Sequence, residues 1–450
     1  MSQSRTSAPG RRRHGLTALD KRDPIGVAVA VLNRLARMPA LDRLGLRRPT
    51  ERAVFESTRT GFRALGAVNR RFASAGRDGA DPARLGPASG DGVFDLNPTE
   101  DEQLLVDAVT ELAREVVRPA AAEADEATAA PREVLEAGRA LGLPLLGVPE
   151  SLGGIATERS MAGTLVAEAL ARGDMGLAVA CLAPGAVATA LSLWGTHGQQ
   201  ATYLPAFTGD DVPAAALALT EPRVLFDALS PATTATRAGD GFVLEGTKSM
   251  VPLAGEAELF VVGAMLEGTP RLFLVESAHV EVEGEPSMGL RAAGLGRVVL
   301  DGVPIPGGAL LGSPDDYVEC LRLSRLAWSA LAVGTAQAVL DYVVPYVNER
   351  QAFGEPVSHR QGVAFMVADM AIELQGMRLV TYRAASRAAR GKEHAREVAL
   401  ARRLCAERGM KIGLDGVQLL GGHGYVKEHP VERWYRDLRA VGVIEGGVLA

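Results

Sequence analysis

The residues best suited to chemistry in this 450-residue chain gather in its last hundred positions. Glu349-Arg350-Gln351-Ala352-Phe353-Gly354 comes first, then Gln418-Leu419-Leu420-Gly421-Gly422-His423-Gly424-Tyr425, then Ile444-Glu445-Gly446-Gly447. Arg350 offers a planar fork that neutralises a diphosphate. Gly421 and Gly422 let backbone approach a ligand closely. Glu445 offers a carboxylate, whose affinity for a proton rises when burial strips it of water. Taken singly, each has an ordinary reading: a surface ion pair for Arg350, a helix stop for the glycines, a solvated loop carboxylate for Glu445. Their order and spacing say more. A helical region free of proline from Val357 separates the first two blocks, and Glu445 comes 23 positions after Gly422.

Other chemistries are poorly served. Cys181, Cys320 and Cys405 are scattered without metal or CxxC spacing, so they read as buried thiols of a reducing compartment, and no metal site is expected. The glycine pairs follow helices rather than strands, unlike a nicotinamide-binding turn. No nucleic-acid signature stands out.

The arrangement of the three blocks resembles the carboxyl-terminal domain of acyl-CoA dehydrogenases, flavoproteins that introduce a double bond next to a thioester. The resemblance covers residues 98 to 450. It implies an FAD cofactor, an acyl-CoA substrate, Glu445 as the catalytic base and an electron-transfer flavoprotein as electron acceptor. It places Arg350 and Phe353, with Gln361, on the diphosphate and adenine side of FAD, and Gln418, Gly421 and Gly422 on the same dinucleotide from an adjacent subunit. Leu219 and Thr220, in Leu219-Thr220-Glu221-Pro222, match a motif whose threonine hydroxyl bonds the flavin ring. Arg325, Ile444 and Gly446 fall on the substrate side. The donors to the developing enolate oxygen would be the backbone N–H of Glu445 and a ribityl hydroxyl of the flavin. Ser324 stands where some relatives carry a second base and cannot act as one.

Several positions depart from the family pattern. Arg223-Val224-Leu225-Phe226 replaces a run of small residues, and Met250 and Pro252 stand where a tryptophan and a threonine flank the flavin. Proline supplies neither a backbone donor nor a hydroxyl. The chain ends five residues after Glu445, and a base there is expected to be mobile. Two further readings stay open: a subunit that keeps the fold and pairs with an active paralogue, and a same-fold flavoenzyme acting on a non-CoA substrate.

The elements that must position these residues follow from periodicity. Residues 98–212 read as a helical domain opened by the capping box Thr99-x-x-Glu102. The apolar stretch Met175–Trp194 reads as buried helix rather than a membrane span, because Pro184-Gly185 interrupts it. Residues 213–310 switch to period two and give a barrel-like or sandwich β domain. Residues 311–450 give helices over Tyr317–Glu349 with a kink at Pro345, Arg360–Arg390 and Ala395–Leu420, joined by short loops into a four-helix-type bundle. The class is α+β. Before them lies an extension, residues 1–97, with 18 Lys and Arg against 9 Asp and Glu in a chain of net charge −6. Its first 24 residues read as disordered, and basic amphipathic helices within 25–73 could touch an anionic membrane or a partner. No signal peptide is evident. A cytoplasmic homodimer or homotetramer, or a heteromer with a paralogue, is the expectation.

Overall fold

The computed structural model describes residues 98–157, 160–209 and 211–447. The basic extension, with the helices and membrane contact read into residues 25–73, lies outside the described residues.

The chain enters through α1 (Glu100–Leu112), whose capping box forms as expected: Thr99 Oγ1 accepts from Glu102 N at 3.2 Å, and the Glu102 carboxylate accepts from Thr99 N at 2.9 Å. A π-helical turn, Ala113–Val117, leads into α2 (Arg118–Ala127), followed by α3 (Arg132–Ala140), α4 (Ala162–Ala171), α5 (Met175–Trp194) and α6 (His197–Thr208). The apolar α5 is the spine of this layer, with most of its length buried. Asp174 caps it through Leu177 N at 3.1 Å and also binds Arg433, both side chains buried.

Strands β1 (Ala215–Ala218), β2 (Thr234–Ala238), β3 (Gly241–Val251), β4 (Leu259–Leu266), β5 (Thr269–Glu276), β6 (Glu281–Gly284), β7 (Gly296–Pro306) and β8 (Leu310–Leu311) form one mixed sheet in the order β6-β7-β3-β2-β4-β5-β8. The first half of β4 also pairs in parallel with β1, and its last two residues with β2. The register of β3 against β7 shifts between Lys248 and Val251, a bulge that re-aims Ser249 and Met250.

The remaining helices are α7 (Pro314–Glu349), α8 (Gln361–Ala389), α9 (Ala395–Leu420) and α10 (Val431–Ala440). Helix α7 runs through Pro345 to Glu349; the proline lies on the solvent side, one turn from the end, where a single lost backbone bond matters little. A two-stranded hairpin, β9 (Gln351–Ala352) and β10 (Glu355–Pro356), joins α7 to α8. Phe353 and Gly354 both have positive φ at its tip, the backbone that a two-residue hairpin turn demands. Helix α10 is pinned by buried contacts: Arg433 to Asp174, and Asp437 Oδ1 accepting from Leu290 N at 2.6 Å. Burial, with Asp174 nearby, pushes the Asp437 carboxyl up to about 8. This anchoring sets where the chain beyond α10 lies.

Candidate active site

Glu445 lies in the segment after α10 and is only 4% exposed. Distant residues hold its backbone on both sides. Arg402 of α9 donates to the carbonyls of Ile444 and Gly446, each at 2.5 Å, and Arg325 of α7 donates to the Glu445 carbonyl at 2.7 Å. Gly446 fits because a Cβ there would stand 2.9 Å from the Phe226 carbonyl oxygen, at a φ of +98°. Arg325 and Gly446, expected on the substrate side, therefore serve to fix the loop. Burial of the Arg402 guanidinium brings it down to about 10, with the Glu445 charge opposing that change.

The side chain of Glu445 is asymmetrically satisfied. Its Oε1 accepts from the Ser324 hydroxyl and from the Trp328 indole N–H at 3.2 Å, residues one turn apart on α7. Its Oε2 is buried with no partner among the described residues. Burial raises the proton affinity of the carboxyl, and Arg402, Ser324, Arg325 and Trp328 only partly counter that rise. An unpartnered oxygen on a desolvated carboxylate is what a general base requires.

That carboxylate lines a cavity of about 110 Å³. Ser324, Ala327, Trp328 and Leu331 of α7, Val179, Leu182, Ala183 and Ala186 of α5, and Ile444 form its largely apolar walls. The same cavity is lined by Leu219, Thr220, Met250 and Pro252, the positions expected to face a flavin ring, and by Ser249. Their setting is built from the sheet. Thr220 follows β1, and its carbonyl accepts from Ser249 N at 2.9 Å. Glu285 fixes the bulge by accepting from Ser249 Oγ at 2.9 Å and Met250 N at 2.6 Å, and is itself paired with Arg297. Beside Thr220, the buried Glu221 accepts from Lys248 Nζ at 2.9 Å, Thr233 Oγ1 at 2.7 Å, Thr233 N and Ala232 N. Burial of Lys248 brings its ammonium down to about 8, against the attraction of Glu221.

One expected donor is otherwise engaged. The Glu445 backbone N–H, assigned to the thioester oxygen, donates to Thr220 Oγ1 at 3.0 Å. The intrusive Arg223-Val224-Leu225-Phe226 run does not enter the cavity. Val224 is 94% exposed and Leu225 also faces solvent, while Phe226 is buried in an apolar cluster beneath the loop.

A second, larger cavity of about 660 Å³ gathers Arg350, Arg360, Gly362, Gln418, Gly421, Gly422 and His423, with Tyr346 and Met366. Arg350 and the Gln418–Gly422 block were expected on different subunits; they meet on one chain because α8 and α9 pack side by side against the end of α7. Phe353 does not join them. It is 95% exposed at the hairpin tip, with the Arg360 guanidinium over its ring at 5.8 Å, and Gln361 is likewise outside the lining. Sequence reasoning missed Trp328, Arg402, Glu285 and Arg360. Ser324, dismissed as a base, is a hydrogen-bond donor to Glu445.

Three family descriptions match the chain in succession: acyl-CoA dehydrogenase N-terminal domain at residues 99–210, middle domain at 216–303 and C-terminal domain at 316–447. The bovine (Bos taurus) mitochondrial short-chain specific acyl-CoA dehydrogenase is 33% identical over 367 residues, covering 77% of this chain and 87% of its own. The chain belongs to the acyl-CoA dehydrogenase family. The CarC subunit of the caffeyl-CoA reductase–Etf complex of Acetobacterium woodii is also 33% identical, covering 72% of this chain and 88% of that one. The structure of butyryl-CoA dehydrogenase from Megasphaera elsdenii superposes with a TM-score of 0.73 at 26% identity, over 79% of this chain and 97% of that one.

As an acyl-CoA dehydrogenase family member, the protein is an oxidoreductase acting on CH–CH donors, with FAD as its cofactor. The residues present fit that group. In the larger cavity two guanidinium groups sit beside Gly362, Gly421 and Gly422, where an added Cβ would meet nothing, so open backbone and positive charge suit a diphosphate. In the smaller one the Thr220 hydroxyl donates to nothing among the described residues, although Met250 N is taken by Glu285 and Pro252 has no N–H.

Proposed function

We propose that this protein desaturates an acyl-CoA thioester between its α and β carbons, with Glu445 taking the α-proton. The observation that carries this reading is the buried Glu445 Oε2, with no partner among the described residues, in a cavity also lined by Leu219, Thr220, Met250 and Pro252. Ser324 and Trp328 hold Oε1, which turns the other oxygen toward the substrate side. Apolar walls exclude water and keep the carboxylate strongly basic toward an acidified C–H. Arg402 and Arg325 prevent the loop from retreating. Polarisation of the thioester carbonyl by the Glu445 amide requires that amide to exchange Thr220 Oγ1 for the substrate oxygen. FAD, when bound, accepts the hydride equivalent released from Cβ.

The two cavities have no lining residue in common, which supports an FAD held between two copies of the chain. Phe365, Ile372 and Leu379, spaced seven apart and exposed along α8, supply an apolar face for such a contact. A related chain is named as part of a complex with Etf, which supports an electron-transfer flavoprotein as acceptor.

The test is anaerobic addition of acyl-CoA thioesters to the purified flavoprotein. Bleaching of the flavin by the native protein and its loss in Glu445→Gln bear the reading out; bleaching that persists in Glu445→Gln removes Glu445 from the reaction. A second reading, a partner subunit without turnover, is favoured because the Met250 N–H is committed to Glu285 and Pro252 has none. A protein purified without flavin colour would support it.

A further inference from the structure

Resting on the desaturation reading, we propose that Arg402 is a positioning residue for the base, one that holds Glu445 in a left-handed backbone conformation and supplies a counter-charge to its carboxylate without touching it. Glu445 has a φ of +59°, a region in which a Cβ is crowded and which glycine ordinarily fills. Glycine would bring no carboxylate, so the surroundings must keep the base in that conformation. The carbonyls of Ile444 and Gly446, which flank it, converge on a single atom, Nη2 of Arg402. Two carbonyl oxygens facing one point repel each other, and a charged donor between them replaces that repulsion with two strong hydrogen bonds. The turn at residue 445 is thereby closed from both sides, with its side chain in the cavity wall.

The charge of Arg402 has a second use. Its guanidinium is only 5% exposed, bonds backbone carbonyls alone, and has Nη1 buried with no partner among the described residues. A buried cation without a contacting carboxylate is costly, and the first charge that favours this one is Glu445. Reciprocally, Arg402 comes first among the groups that counter the burial of Glu445. The separation matters. A direct ion pair would cover Oε2 and depress its basicity, whereas a cation on the backbone side of the loop steadies the ionised base and leaves Oε2 open. Arg402 lines neither cavity, so it acts through Glu445 and not on a ligand. The other ionisable groups facing Glu445 are Arg325, Cys320 and Tyr317 of α7; Ser324 and Trp328 of α7 and Thr220 after β1 are uncharged.

Three substitutions separate the two roles. Arg402→Lys keeps charge and donors, Arg402→Gln keeps a donor alone, and Arg402→Met keeps neither. Each is checked for flavin content and assayed across pH with butanoyl-CoA and octanoyl-CoA. In Arg402→Met, kcat should fall about a hundredfold, the scale of a slightly misplaced catalytic group, and Arg402→Lys should recover most of that loss. The acid limb of kcat/KM should move to higher pH in the Gln and Met variants and stay in the Lys variant, a shift that a role in packing alone would not produce. A readout without turnover is the melting temperature of each variant across pH beside the same variant carrying Glu445→Gln. The gap at alkaline pH should be wider in the Gln and Met variants than in the native protein, because the ionised carboxylate has lost its counter-charge. A native kcat in Arg402→Met overturns the positioning role. An unmoved acid limb with an unchanged alkaline gap in both the Gln and Met variants overturns the counter-charge. If neither thioester reduces the flavin of the native protein, the desaturation reading has failed, and the melting gap still decides whether Arg402 supports the charge of Glu445.

Discussion

The backbone N–H of Glu445 donates to the hydroxyl oxygen of Thr220 at 3.0 Å, joining residues 225 positions apart. Thr220 also binds Ser249 N through its carbonyl, so one residue ties the base-bearing loop to β1 and to the bulge of β3. Thr220→Ala should cost about 1 kcal/mol of stability, the usual net worth of one hydrogen bond. It should also lower kcat/KM, because the loop that carries Glu445 loses its tie to the residue after β1 before substrate arrives. Thr220→Ser should restore both. Thermal unfolding and steady-state kinetics of the two variants check this, and equal activity in Ala and Ser variants would mean that the hydroxyl has no part in placing Glu445.

Burial raises the proton affinity of Glu445, and the sign of the consequence differs for activity and stability. The base works ionised, so kcat/KM should fall as pH drops through the raised folded value, a limb displaced above the ordinary carboxylate range. For folding, the contribution is fully present below the unfolded carboxylate value and lost as pH rises through the folded one, because the ionised form is disfavoured in the fold. Glu445→Gln should therefore lose activity by on the order of a hundred- to ten-thousandfold. It should also melt higher than the native protein at alkaline pH, with the gap closing in acid. Scans of melting temperature against pH measure this directly; a gap that widens toward acid would reverse the argument.

Much of this arrangement was legible in the sequence wherever local signals are strong. The Thr99 capping box marks the start of α1, and Gly391 and Gly421, both at positive φ, mark the stops of α8 and α9. Strands β2 and β6 carry little sequence signal, because they are short and mostly solvent-facing and neither alternates cleanly between apolar and polar. Glu445 was recognisable from its block, but its anchorage was not. Arg402 stands next to Arg403 in a charged stretch of α9, and only the packing of the terminal loop over it shows that one arginine is buried and the other exposed. Trp328 likewise looks like an ordinary core residue of an apolar helix, since the partner of its N–H lies 117 positions away.

The buried pair of Glu221 and Lys248 underlies the Thr220 and Ser249 wall of the smaller cavity, and the carboxylate also gathers Thr233 and Ala232. Lys248→Met should destabilise the protein by about 3–5 kcal/mol, because it strands a carboxylate in the interior. Adding Glu221→Gln should recover part of that loss, which a double-mutant cycle in denaturant would quantify. Additive losses would show the two groups to be energetically independent despite the 2.9 Å contact.

Arg350 and Glu445 line different cavities, and an FAD shared between two copies of the chain would draw Arg350 from one and Glu445 from the other. Arg350→Ala alone should weaken FAD binding by about ten- to a hundredfold, the range expected for a charged hydrogen bond lost from a phosphate. Glu445→Gln alone should bind FAD and fail to turn over. If the two variants are unfolded and refolded together, half of the sites in each mixed dimer would unite an intact Arg350 with an intact Glu445. Activity should then reappear in the mixture while each parent stays inactive at limiting FAD. A mixture no more active than its parents, with mixed dimers confirmed by differential tagging, would place both residues around a cofactor held within one chain.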